Sequence, residues 1–306
     1  MYIDEARATT DEILSAIERR IESTYDRAID ELDKAAAKFW KDFDRQDRKW
    51  WKKMQAYPDN KALEDEWRRW RRDQLLTGDR FDPIREECIR QIENARYSTL
   101  SYVNGRMAEV YALNYNNVGS TLYEGLAGYN FSLMDAATVR NLALTDNRLL
   151  PYRVVDGKKV ASWSSRSIRA EITQGIIQGD SIPNIAKRLG RVVDMDAKAA
   201  TRTARTMVTS AENKGRMDAL HKAEEDGIQL VKKWIATSDS RTRDWHSDLD
   251  GVELPMDEPF RNVITVSKTL SFVDEIMYPG DPNADPANVY NCRCALGARV
   301  IGFKGR

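Results

Sequence analysis

Residues 10–57 carry apolar side chains at sevenfold spacing. Leu14, Ile21, Ala28 and Ala35 form one row, and Tyr25, Leu32 and Phe39 form its companion. This pattern predicts one long helix with an apolar seam, interrupted by Glu18. A helix of this length cannot bury its own seam, so it needs a partner. The partner is another helix of the same chain or a second copy. A sustained coiled coil needs roughly 3–4 clean heptads, which favours the intrachain reading.

The rest of the chain keeps the same helical pattern as far as Gly227. Pro58-Asp59-Asn60 ends the first helix, and Asn60 can cap the next, over 61–77, with Leu63, Trp67 and Trp70 on one side and Thr77-Gly78 as its stop. Asp82-Pro83 opens a third long helix. Asn116, Asn117 and Gly119 are expected to close it. Shorter helices are expected over 118–150, with Asp135 as a cap. Asp156-Gly157, between short apolar runs in 151–163, is a hairpin signal. The domain boundary is placed there, giving a helical region over 1–155 and a second domain over 156–306. Helices are then expected at 165–178, from Ser181 to Gly190, and over 195–225. After Gly227 the texture changes. Residues 229–237 read as a strand, and the chain beyond them is rich in Asp, Gly, Pro and Asn. Helices first, then short strands and loops, is an α+β arrangement.

Composition narrows the function classes. The 306 residues hold 48 Lys and Arg against 48 Asp and Glu, so no global charge argues for nucleic acid. No apolar run approaches the ~18 residues of a membrane span, and the acidic N-terminus is unlike a signal peptide. Three cysteines, Cys88, Cys292 and Cys294, do not make a disulfide framework, and synthesis in a reducing cytoplasm is expected. Cys88 falls on an amphipathic helix and reads as core. His221 sits in a charged helix and reads as solvated.

Locally, charge does cluster. Residues 40–72 hold five of the eight tryptophans, and residues 48–72 hold nine Lys and Arg against four Asp and Glu. Trp50, Trp51, Trp67, Arg68, Arg69, Trp70, Arg71 and Arg72 are the candidate contacts to a protein partner or to DNA. Basic side chains interleaved with aromatics suit a nucleic-acid backbone and its bases, and Trp with Arg equally suits a protein interface. An ordinary helix pair with Trp inward and cations outward explains the same pattern.

The densest chemistry lies from Trp234 to Cys294. A strand delivers the chain into Asp239-Ser-Arg241-Thr-Arg243-Asp244-Trp-His246. Tyr278-Pro-Gly-Asp-Pro282 and Asp285-Pro286 then stiffen the approach to Asn291-Cys292-Arg293-Cys294. His246, Cys292 and Cys294 are the ligand types zinc prefers, and Asp239 or Asp248 could supply a fourth. Cys-x-Cys is not the common structural zinc spacing, and a 1,3 pair is a strained local disulfide. The competing reading makes the cysteines small apolar groups. Arg241, Arg243 and Asp244 with Asp239 are expected to fix the loop by ion pairs, and Asn291 and Arg293 by turn and charge contacts. His246 could serve as a general base, but no nucleophile, phosphate-binding glycine loop or His-Glu-x-x-His accompanies it, so no catalytic residue is assigned.

The pattern Trp234, Asp239, Arg241-Thr242-Arg243, His246, Gly251, Phe260, Pro279 to Pro282 and Asn291 to Cys294 resembles the head morphogenesis domain of Mu F-like phage head proteins. The likeness extends upstream through Ile176 to Ser181, Ile185-Ala186, Ala204 to Thr206, Asn213 and Gly215, and more weakly to Tyr111 to Asn116. Such a resemblance implies a minor head protein with an assembly role rather than an enzyme. It implies several copies inside the virion near the portal, with portal protein, scaffold or major capsid protein as partners. Two other readings stay open: a DNA-binding protein packaged with the genome, and a metal-dependent enzyme-like domain. Some relatives carry an appended toxin after this motif, and the twelve residues after Cys294 leave no room for one.

Overall fold

The computed structural model describes residues 4–76, 82–124, 131–145, 182–267 and 270–304, with a helical fragment within 166–174. The hairpin expected at Asp156-Gly157, and with it the boundary at 155, lies outside the described residues. Among the described residues the long helical part comes first, with α1 (Asp4–Ala56), α2 (Lys61–Leu76), α3 (Asp82–Tyr123), α4 (Ala136–Thr145) and α5 (Ile182–Glu225). Strand β1 (Ile228–Ile235), helix α6 (Asp244–Ser247), strands β2 (Glu253–Leu254), β3 (Phe260–Ser267) and β4 (Leu270–Ile276), helix α7 (Pro286–Val289) and strand β5 (Ala295–Phe303) come after them. The protein is α+β, with long helices first and short antiparallel strands at the end. No described helix is long and apolar enough to cross a membrane.

The compact units are discontinuous in sequence. One comprises 1–19, 100–154 and 200–306, and the other 20–99 and 155–199. The long helices α1, α3 and α5 supply residues to both, which a consecutive division of the sequence does not capture.

In the second unit, α1 buries Ile21, Tyr25, Ala28 and Leu32, α3 buries Cys88 and Ile92, and α5 buries Leu189, Val192 and Val193. The stretch of the α1 seam from Ile21 to Leu32 is therefore covered within the chain. Burial pushes the Cys88 thiol up to about 12, consistent with an inert core residue. Tyr25 donates to Asp196 at 2.6 Å, and Arg96 pairs with the same carboxylate, so this buried acid is satisfied from two helices. Asn60 caps α2 by accepting from the Leu63 N–H at 3.1 Å, as its position predicts.

Two helix ends differ from expectation. Helix α3 runs past Asn116, Asn117 and Gly119 to Tyr123. Those residues serve tertiary contacts instead of a stop. The Asn116 amide exchanges hydrogen bonds with both backbone groups of Met134, at 2.7 and 2.8 Å. At Gly119 a Cβ would lie 2.0 Å from the Phe131 ring, so only glycine admits that ring. Helix α5 passes straight through Gly190, where the sequence suggests an end. A helical glycine costs only about 1 kcal/mol, and buried Leu189, Val192 and Val193 flank it on both sides. Asp135 does cap α4, through the Thr138 N–H at 2.7 Å.

The first unit is built on the order β2-β1-β5, all antiparallel, with β3 and β4 as a separate hairpin. Strand β1 alternates, turning Ile228, Leu230, Lys232 and Trp234 inward. Trp234, Phe260, Ile276, Tyr278 and Leu296 share one core with Met217, Leu220 and Ala223 of α5. That core is the floor on which the irregular segments of 236–294 are laid.

Candidate functional site

Three chain segments converge on one point. Strand β1 ends at Ile235, and a loop leads into α6, which places His246 inside the protein. The segment after α7 brings Cys292 and Cys294 to the same place. His246 Nδ1 lies 3.8 Å from Cys292 Sγ and 3.6 Å from Cys294 Sγ, and the three ligand atoms fall within 4.8 Å of one another. All three residues are 1–3 % exposed. Asp239 and Asp248, the fourth ligands suggested by sequence, are not part of this cluster. Asp239 instead faces Arg293, pairing with both guanidinium nitrogens at 2.5 and 2.6 Å. That fork geometry holds the Asp239 carboxyl well below the usual carboxylate range.

The imidazole is fixed from behind by Asn288. Asn288 Nδ2 donates to the Asp274 carboxylate at 2.6 Å, so its Oδ1 faces the other way. There it accepts from the indole N–H of Trp245 at 3.0 Å and lies 3.1 Å from His246 Nε2. An amide oxygen carries no proton, so Nε2 must be the donor. Nδ1 therefore presents its lone pair to the two thiols. The Trp234 ring meets the imidazole edge-on at 5.4 Å and closes one side.

The cysteine backbone is held just as firmly. Two residues one turn apart on α5 do this. Thr209 Oγ1 donates to the Cys292 carbonyl at 2.8 Å, and Asn213 Nδ2 donates to the Cys294 carbonyl at 3.1 Å. The Asn213 oxygen also accepts from the Leu296 N–H at 2.8 Å. One amide thus pairs with the extended chain as a strand would. Asn291 takes a φ of 55°, a left-handed conformation that asparagine tolerates, and its N–H meets Thr206 Oγ1 at 3.2 Å. The Pro-Gly-Asp-Pro run acts in the same way. Gly280 has a φ of 80°, and a Cβ there would lie 3.1 Å from the Ser210 nitrogen. Asp281 accepts from the Met277 and Asn283 backbone nitrogens.

Asp239 accepts from the Arg241 N–H at 2.9 Å and pairs with Arg293, while the Arg241 side chain is mostly exposed. Among the described residues Arg243 pairs with no carboxylate. It donates to the Tyr290 carbonyl instead. Asp244 stands in the first turn of α6. Arg7, from the start of α1, donates to Thr237 Oγ1 and to the Arg293 carbonyl, both at 3.1 Å.

Electrostatics follow from burial. The Cys294 thiol is lowered to about 5 by the hydrogen bond from Cys292 and by His246, while that same bond and burial push Cys292 up. Nearby, Lys232 is buried on the inward face of β1. Its Nζ donates to the Met277 carbonyl at 3.0 Å and sits 5.1 Å from the Phe260 ring centroid. Burial lowers it to about 8. Buried Arg216 bonds Glu212 at 2.7 Å, Asn114 at 3.0 Å and the Leu296 carbonyl at 3.3 Å. Sequence reasoning passes over Lys232, Arg216, Asp274 and Asn288. The one available signal is Asp285-Pro286, a capped helix start that places Asn288 one turn in.

The tryptophan-rich helices are a packed pair within their own unit. Trp67 donates to Asp47 at 2.8 Å, and the rings of Trp50 and Trp70 lie 6.0 Å apart with Lys53 over Trp50. Arg68 pairs with Glu64 at 2.6 Å, and Arg69 bonds the Asp65 carbonyl at 3.3 Å. Among the described tryptophan side chains of this pair, Trp51 is the one that is mostly exposed, at 55 %. The side chains of Arg71 and Arg72 lie outside the described residues.

A buried His–Cys–Cys clasp on an α+β scaffold is the setting for the comparisons with known proteins. Residues 166–297 match the family model described as Phage Mu protein F like protein. Minor head protein GP7 of Bacillus phage SPP1 is 29% identical over 215 residues, covering 69% of this chain; the chain spans 65% of that protein's length. An NAD(+)–arginine ADP-ribosyltransferase, EFV, of Enterococcus faecalis is 33% identical over 96 residues, 31% of this chain and 20% of that enzyme. No solved structure gives a significant match.

Proposed function

We propose that this chain is a minor protein of a tailed-phage head with a structural role in head morphogenesis. The observation that carries the reading is the similarity to the minor head protein of phage SPP1, which extends over more of the chain than the Mu F-like segment. In this role the protein resides in the virion, inside the capsid near the portal, in several copies. Its partners there are portal protein and scaffold or major capsid protein. It is made in the bacterial host's cytoplasm. Mass spectrometry of purified virions and procapsids tests this: presence in either is expected, and absence from both overturns it. Electron microscopy of heads with the portal in place tests the position.

This role involves no catalysis. His246 and the two thiols face one another in the interior, 1–3 % exposed, where no macromolecular substrate reaches them. The similarity to the ADP-ribosyltransferase spans a fifth of that enzyme, too little to bring its activity across. Incubation with labelled NAD is the check, and label transfer lost in His246→Ala would overturn the non-catalytic reading. A second reading, DNA binding, draws on exposed Trp51 beside Lys52 and Lys53. Binding that weakens steeply with salt would favour it, because phosphate contacts release counterions.

A further inference from the structure

We propose that His246 Nδ1 and the sulfurs of Cys292 and Cys294 bind one zinc ion, which fastens the loop of 236–247 to the start of β5. The geometry is close to that of a zinc site. Zinc–sulfur and zinc–nitrogen bonds of about 2.3 and 2.0 Å at a tetrahedral angle put nitrogen and sulfur about 3.5 Å apart. The observed separations are 3.6 and 3.8 Å. A thiol hydrogen bond explains one such approach. It does not explain two sulfurs converging on the one lone pair that Asn288 leaves free on the ring.

The surroundings supply the rest. A metal-bound histidine commonly donates its other ring N–H to a carbonyl or carboxylate, and here Nε2 donates to Asn288, which is itself anchored on Asp274. Thr209 and Asn213 hold the two cysteine carbonyls, so both sulfurs are positioned by the helix rather than by the metal. Both sulfurs bind as thiolates, any proton they hold passing to solvent. Two thiolates then balance the divalent charge, leaving a neutral site suited to burial. Nitrogen with two sulfurs selects zinc over magnesium or calcium, which take oxygen ligands. Among the described residues no fourth His, Cys, Asp or Glu joins the cluster, so the fourth ligand is an oxygen donor such as water. The fully buried Trp234, packed against the imidazole, has an indole N–H with no acceptor among the described residues and can serve that oxygen. The site stands or falls independently of the role in a phage head.

The test uses the full chain without a histidine tag, purified under reducing conditions from zinc-supplemented cells. Elemental analysis is expected to give about one equivalent of zinc, and chelator is expected to lower the melting temperature. Cobalt(II) added to the stripped protein is expected to give visible tetrahedral bands and a near-ultraviolet thiolate charge-transfer band. That band should be lost in Cys292→Ser and Cys294→Ser. If either variant fails to fold, the cobalt titration of the folded wild-type protein decides alone. Zinc below about a tenth of an equivalent together with no charge-transfer band overturns the proposal. A Cys292–Cys294 disulfide in the intact mass of the reduced-purified protein does so as well.

Discussion

The clasp around His246 and the tryptophan-rich helix pair of 40–72 look equally eventful in sequence, yet they are held by different physics. The helix pair rests on generic contacts, among them the tilted rings of Trp50 and Trp70, the Glu64–Arg68 i,i+4 pair and an indole bond to Asp47. Many residues would serve there. The clasp rests on buried polar atoms with few partners each, so Asn213, Asn288 and Arg216 are each nearly irreplaceable. A dense motif therefore signals a site only when its polar atoms are taken out of water and must find one another.

That contrast can be broken by substitution. The largest loss is expected at Arg216→Ala, about 3–5 kcal/mol, because Glu212 and Asn114 would keep their burial and lose their partner. Urea denaturation monitored by far-UV circular dichroism measures it, and a loss under about 1 kcal/mol would show that water reaches the network. Asn288→Ala should cost about 2–3 kcal/mol, since the indole and imidazole N–H groups lose their shared acceptor. Lys232 offers a pH test. Its folded value of about 8 lies below its ordinary 10.5, so between those values the unfolded chain holds more protons. Stability attributable to Lys232 is thus depressed below about pH 8 and recovers as pH rises towards 10.5. The difference in melting temperature between wild type and Lys232→Met should shift in the wild type's favour from pH 7.5 to about 9.5, and a flat difference contradicts the assignment. The smallest effect belongs to the helix pair: Trp67→Phe, which keeps the ring and drops the bond to Asp47, should cost about 1 kcal/mol. A value as large as that of Asn288→Ala would erase the distinction between the two regions.

Much of this is legible from residue order. The seam of α1, the caps at Asn60 and Asp135 and the meeting of His246 with Cys292 and Cys294 all follow from local chemistry. The misses share a cause. Gly119 and Gly190 carry stop signals that tertiary packing overrides. Asp239 has the chemistry of a ligand, but Arg293, fifty-four residues on, claims it first. The interleaving of the two compact units depends on which helix faces which, and a single helix's periodicity does not encode that. Lys232 is invisible in sequence because a lysine in a strand is ordinarily solvated.

The bond from Arg7 to the Arg293 carbonyl joins residues 286 apart. A ribosome delivers the first of these long before the second. Strand β1 emerges with its β5 edge unpaired, and it stays unpaired until Ala295 to Phe303 are made. Cys292 and Cys294 arrive just ahead of that last strand, and their carbonyls must then find helix α5, made some eighty residues earlier. Contacts so distant in sequence close slowly. A chain arrested before Cys292 would present an open strand edge, which invites pairing with its neighbours on the same message.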